Sequence, residues 1–150
     1  MAQKTILLID DEQGLIEALD DALVSQGYRV LRAFTGEEAL SVLAQEHVDL
    51  ATVDIMMPQG RSLESKTASQ RTGVYVIKEI LKRYPDLDVF CLSVVSDPAT
   101  VKEIQDLGVR FLRKGETPLI TVLDMIRSRI TGIAYSSERD GNRWKKRDDS

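Results

Sequence analysis

One cysteine, one histidine and four prolines stand in a chain of 150 residues, and the scarcity of the first two removes whole classes of protein. Cys91 has no second cysteine with which to close an internal disulfide, and a single His with a single Cys cannot furnish a structural zinc site. Long apolar runs are missing too. The first, Ile6-Leu7-Leu8-Ile9, gives way at once to acidic residues, so it is neither a secretory core nor a membrane span, and a cytoplasmic location with no membrane partner is expected. A basic excess is also lacking: 24 Asp and Glu face 20 Lys and Arg, for a formal charge of -4. Nucleic acid is therefore not the expected partner, because phosphate contacts need a basic face. What remains is an ordinary globular mixture, 43% apolar and 29% charged, long enough for one domain with a sizeable core and without internal repeats.

Apolar runs alternate with segments of helical period. Thr5 to Asp10, Leu50 to Asp54 and Val89 to Val95 are apolar on both faces, as strands covered by helices on each side must be. Tyr28 to Arg32 and Arg110 to Lys114 carry charges within the run, which suits the two edges of a sheet. Between them Leu15, Leu19, Ala22 and Leu23 recur at helical spacing, as do Ile77, Ile80, Leu81 and Tyr84, and Leu119, Val122, Leu123, Ile126 and Ile130. Thr35-Gly-Glu-Glu38 has the spacing of a capping box, and Asp97-Pro98 and Thr117-Pro118 each place a capping oxygen before a proline at the first helical position. Gly27 and Gly108 mark left-handed helix ends. Strict strand-helix alternation predicts a doubly wound, five-stranded parallel sheet, and with strands 2 and 5 at the edges the order is 2-1-3-4-5, a flavodoxin-like α/β fold.

In such a sheet ligands gather at the carboxyl ends of the strands, beside the point where the winding reverses, here between strands 1 and 3. Strand 1 ends in Asp10-Asp11-Glu12, strand 3 in Asp54, strand 4 in Ser93 and strand 5 in Lys114. Converging carboxylates repel one another unless a cation intervenes, and oxygen-only ligands favour Mg²⁺. A metal, an ammonium and a hydroxyl grouped around one carboxylate suit a transferring phosphoryl group, with the carboxylate as nucleophile. An acidic pair after a strand can also be a helix N-terminus complementing the dipole, but a buried strand ending in Asp has no such simple structural account. His47 falls at the opposite end of strand 3 from Asp54 and reads as a solvated surface residue, while Cys91 reads as a small buried hydrophobe.

Four motifs, Ile9-Asp10-Asp11-Glu12, Val53-Asp54-Ile-Met-Met-Pro58, Leu92-Ser93 and Phe111-Leu-Arg-Lys114, stand in an order and spacing that resemble the receiver domain of two-component response regulators over about residues 4 to 133. The resemblance implies that Asp54 is the phosphoacceptor and that Asp11 binds Mg²⁺ directly. It implies further that Asp10 holds the metal directly or through water, and that Met56 supplies its backbone carbonyl to the metal. Ser93 would bond a phosphoryl oxygen and shift on activation, Lys114 would pair with the phosphoryl group, and Phe111 would be the aromatic switch behind Ser93. A histidine kinase or phosphotransfer protein would be the donor and a further protein the recipient of the signal, with a homodimer left open. Residues 1–133 would form the receiver domain and 134–150 a disordered polar tail, so that the chain acts as a stand-alone receiver rather than as a conventional enzyme.

Two other readings differ in class. A non-phosphorylated binding module on the same fold predicts gaps in the site, yet all five of Asp10, Asp11, Asp54, Ser93 and Lys114 are present. A haloacid dehalogenase-type phosphatase needs a second Asp two residues after the nucleophile, where Met56 stands. Three departures from the family pattern are visible. Gly115 follows Lys114 in place of proline, branched Val94 follows Ser93 in place of a small residue, and Gly73 lies fifteen positions after Pro58, which implies an insertion of about eleven. Residues 59–72 are accordingly read as an inserted surface loop, which chain entropy tolerates easily.

These positions also set an expected signal lifetime. A water attacking an aspartyl phosphate would be held by the side chains two positions after the acceptor and two after the Ser, here Met56 and Val95, and neither is a base or a strong donor. Slow self-dephosphorylation is predicted, slowed further if Arg61, Lys66 or Arg71 of the insertion sits near the phosphoryl group. Phosphate loss from the wild type should be much slower than from Met56→Asn/Val95→Glu, and equal rates would contradict the water-exclusion argument.

Overall fold

The computed structural model describes residues 3–10, 13–55, 66–94 and 97–132. Strands and helices alternate as β1 (Thr5–Ile9), α1 (Gln13–Ser25), β2 (Arg29–Ala33), α2 (Gly36–Gln45), β3 (Leu50–Val53), α3 (Lys66–Arg83), β4 (Asp88–Ser93), α4 (Pro98–Asp106), β5 (Arg110–Arg113) and α5 (Leu119–Thr131). The strands form one parallel sheet in the order β2-β1-β3-β4-β5, the expected arrangement. In register, Ile9 lies opposite both Ala33 and Val53, Val53 opposite Cys91, and Ser93 opposite Arg113. Among the described residues no helix is long and apolar enough to cross a membrane.

β1 and β3 are buried along their whole length, and β4 from Val89 to Ser93, because successive side chains enter opposite cores. Leu7, Ile9, Ala51, Val53, Val89 and Cys91 share one core with Ala39 of α2, Ile77 and Ile80 of α3 and Ile104 of α4. Ile6, Leu8, Leu50, Phe90 and Leu92 share the other with Leu19 and Leu23 of α1 and Val122 and Ile126 of α5. Each fully buried Leu or Ile contributes about 1.5–3 kcal/mol, so the four aliphatic side chains of β1 pin that strand from both sides and fix where its end lies. The edge strands keep their charges at the surface: Arg29 and Arg110 are exposed, and Arg32 Nε donates to Asp20 Oδ2 at 2.7 Å, tying β2 to α1.

The expected helix signals meet mixed outcomes. Thr35 caps α2 by accepting from the Glu38 amide at 3.1 Å, and Glu38 reaches back to the Phe34 amide at 2.8 Å. Asp97 caps α4, accepting from the Thr100 amide at 3.2 Å and its hydroxyl at 2.6 Å, and these bonds hold its carboxyl below the usual range. Gly27 and Gly108 adopt the left-handed conformation at the ends of α1 and α4. Thr117 is not a cap. α5 starts one residue later than its sequence implies, with Pro118 in the cap position and its carbonyl taking the Thr121 and Val122 amides, so no side chain caps this helix.

A second correction concerns the insertion. Residues 66–72, expected as loop, are the first turns of α3, because Lys, Ala, Gln and Arg favour helix and no glycine or proline interrupts them before Gly73. Residues 59–65 and the expected tail, 134–150, lie outside the described residues.

After β5 the chain turns sharply. The Glu116 and Thr117 amides both donate to the Arg113 carbonyl, at 3.2 and 3.0 Å, and Gly115 takes φ +82° at the third position of the turn. No cis peptide bond occurs among the described residues. Proline, the usual family residue here, has φ near −65° and cannot adopt this conformation. Gly115→Pro is expected to lower stability by about 1–3 kcal/mol in urea unfolding, and an unchanged or raised midpoint would contradict the turn described.

Candidate functional site

Three charged residues stand one position beyond three strands, and each starts from a backbone that the neighbouring strand holds. The Asp10 amide donates to the Ala33 carbonyl at 3.0 Å, the Asp54 amide to Ile9 at 3.0 Å, and the Lys114 amide to Ser93 at 2.9 Å. These bonds continue the sheet ladder by one rung, so register sets the origin of each side chain.

From that origin the side chains converge. Lys114 Nζ lies 2.8 Å from Asp54 Oδ2 and 2.9 Å from Asp10 Oδ2, and the three side chains are only 8%, 4% and 8% exposed. Lys114 reaches across the end of β4, which finishes in Ser93, a small and fully buried residue. One ammonium is thus shared by two buried carboxylates in a shielded crevice. Taking charges out of water is costly unless they are compensated. Cys91 lies opposite Val53, and its thiol is pushed far up by burial and then by the Asp54 charge, against the smaller opposing effects of the Ile55 amide and Lys114. It is protonated at neutral pH and unreactive.

The remaining sequence-identified residues distribute as follows. Phe111 is half-buried on β5, opposite Cys91, with the Arg113 guanidinium 5.9 Å from its ring centre. Val94 is exposed. His47 is at the far end of the sheet, solvated and 3.1 Å from Asp49 Oδ1. Asp11, Glu12, Met56 and Val95 lie outside the described residues. Among the described residues no three His, Cys, Asp or Glu side chains group as a metal site. Asp10 and Asp54 do supply buried carboxylate oxygens side by side at the Lys114 ammonium, an oxygen-only donor set that fits a hard cation such as Mg²⁺. Sequence reasoning missed the role of Gly73, which it used only to measure spacing. The available signal was a glycine inside a helical run, a position that calls for a packing reason.

The response regulator receiver domain family model matches residues 6–127, and the chain belongs to that family. Receiver domains are switches of two-component signalling and not conventional enzymes. Transcriptional regulatory protein AfsQ1 of Streptomyces coelicolor is 34% identical over 118 residues, covering 75% of this chain and 52% of that protein. The chain spans about half, or less, of the length of the curated relatives it matches. A CheY-like receiver domain protein from Methanospirillum hungatei shares the fold with a TM-score of 0.75 at 20% identity, over 93% of this chain and all of that one. Response regulator TrrA of Thermotoga maritima, solved in complex with Mg²⁺ and beryllofluoride, has a TM-score of 0.65 at 25% identity, covering 87% of this chain and 98% of that one.

The charge balance gives a stability test. Removing the ammonium in Lys114→Ala strands two buried carboxylates and should cost about 3–5 kcal/mol in metal-free urea unfolding. Asp54→Asn leaves the ammonium paired with Asp10 and should cost far less. Comparable losses in the two variants would contradict the shared-ammonium account.

Proposed function

We propose that this chain is a phosphorylatable signalling switch in which Asp54 accepts a phosphoryl group from the phosphohistidine of a histidine kinase or phosphotransfer protein. The observation that carries the reading is the Lys114 ammonium bound to Asp54 and Asp10 together in a buried crevice at the sheet's carboxyl edge. An Asp54 oxygen attacks phosphorus, the bond from phosphorus to the donor imidazole nitrogen breaks, and that nitrogen keeps the electron pair and takes up a proton from solvent. The product is an acyl phosphate on Asp54 and a free histidine on the donor.

Each residue near Asp54 has a part in that transfer. Lys114 is placed to leave its contact with the attacking carboxylate and pair with the incoming phosphoryl oxygens, a charge-assisted bond that strengthens as charge builds there. Ser93, buried at the end of β4, has a hydroxyl able to donate to a phosphoryl oxygen. Phe111, opposite Cys91 in register and half-buried, is the aromatic that would change position when Ser93 moves. Asp10, Asp11, Asp54 and the Met56 carbonyl would hold Mg²⁺. When bound, that ion neutralises charge on the carboxylates and the phosphoryl group. The complex of TrrA with Mg²⁺ and beryllofluoride supports this ligand in a relative of the same fold.

Output passes by protein contact, in the cytoplasm, through surfaces that respond to the state of the crevice. The five site residues identified in the sequence support this over a receiver-like module that is never phosphorylated. Asp54→Asn should abolish incorporation of labelled phosphate from a phosphorylated kinase while circular dichroism shows an intact fold. Labelling of the Asn variant at the wild-type level would contradict the assignment.

A further inference from the structure

Glycine is intrinsically unfavourable inside a helix, yet Gly73 sits within α3 with turns on both sides. Its surroundings supply the reason. A side-chain carbon placed there would lie 2.0 Å from the Ile55 carbonyl oxygen and 2.3 Å from the Ile55 Cα, both backbone atoms that cannot swing aside. Ile55 is the residue directly after Asp54. Ile55 is fully buried, and the Asp54 amide before it is bonded to the Ile9 carbonyl at 3.0 Å, so the backbone at this point is held by the sheet.

α3 cannot simply retreat to make room. Val74, Ile77 and Ile80 are fully buried in the core, and Val76 fits against Gly36 of α2, where an added carbon would come within 2.4 Å of a Val76 methyl. With the helix held from behind, a side chain at Gly73 would push on the Ile55 backbone, directly after Asp54, whose carboxylate would be displaced with it.

We propose that Gly73 is a positioning residue for the phosphoacceptor: its missing side chain lets α3 rest on the Ile55 backbone and so holds the Asp54 carboxylate at the Lys114 ammonium. The proposal rests on Asp54 being the acceptor. Reacting groups misplaced by 1 Å can lose about a hundredfold in rate, so a displacement too small to unfold the protein is still readable in transfer.

The test compares Gly73→Ala with Gly36→Ala in the full chain. Gly36→Ala disturbs the same helix at the contact remote from Asp54. Urea unfolding, the rate of phosphate incorporation from acetyl phosphate per folded molecule, and amide exchange at Ile55 are read together. Both variants should lose stability, but only Gly73→Ala should lose about tenfold or more of the rate at saturating donor, with the half-saturating donor concentration little changed and a shifted, faster-exchanging Ile55 amide. Equal rates per folded molecule in the two variants would overturn the proposal. If Gly73→Ala does not fold in buffer, the same readings are taken for both variants in trimethylamine N-oxide, which favours the folded state, and equal rates there would overturn the proposal. Phosphate on Asp54→Asn at the wild-type level would refute the acceptor reading instead, and the Ile55 amide in Gly73→Ala would still show whether Gly73 holds that segment.

Discussion

One ammonium is shared by two buried carboxylates, and the fold can be understood as the apparatus that brings those three groups within 3 Å and keeps water from screening them. Asp10, Asp54 and Lys114 are far apart in the chain. Only a sheet in which β1 and β3 are neighbours, with β5 one strand beyond β4, lets a lysine side chain reach both acids. The apolar residues that bury β1, β3 and β4 on both faces therefore act on the chemistry indirectly. They fix the register, and the register fixes the three ladder bonds from which the charged side chains depart.

The same arrangement is poised to change. Two acids share one base in a place shielded from water, so a doubly charged cation or a phosphoryl group entering the crevice alters the electrostatic balance more than any movement of the apolar core can. Ser93 and Phe111, the residues proposed to respond to such a change, lie on the two strands between Asp54 and the outer edge of the sheet. Gly115 gives the Lys114 backbone a turn that differs from the usual family residue, yet the ammonium still arrives at Asp54.

Much of this was legible in the sequence because it depends on period and on position relative to a strand end. Runs apolar on both faces gave β1, β3 and β4, charges inside a run gave the edges β2 and β5, and the strand order followed from those two facts. Asp10, Asp54, Ser93 and Lys114 could be singled out because carboxyl ends of parallel strands share one edge. The start of α5 was misread because Thr117-Pro118 has the local form of a cap, while the bonds that decide the matter come from the Pro118 carbonyl and from the turn back to Arg113. Residues 66–72 were misread as loop because the comparison with the family pattern measured only their excess length, whereas their own composition favours helix. The contact of Gly73 with Ile55 depends on how a helix lies across a strand end, and no spacing rule contains it.

The account turns on a covalent bond to one carboxylate, and that bond can be located chemically. Borohydride reduces an aspartyl phosphate to homoserine, so a phosphorylated sample reduced and digested should show homoserine at position 54 by peptide mass spectrometry, in proportion to the phosphate incorporated. Homoserine at another acidic position, or phosphate incorporated with position 54 still aspartate, would contradict it.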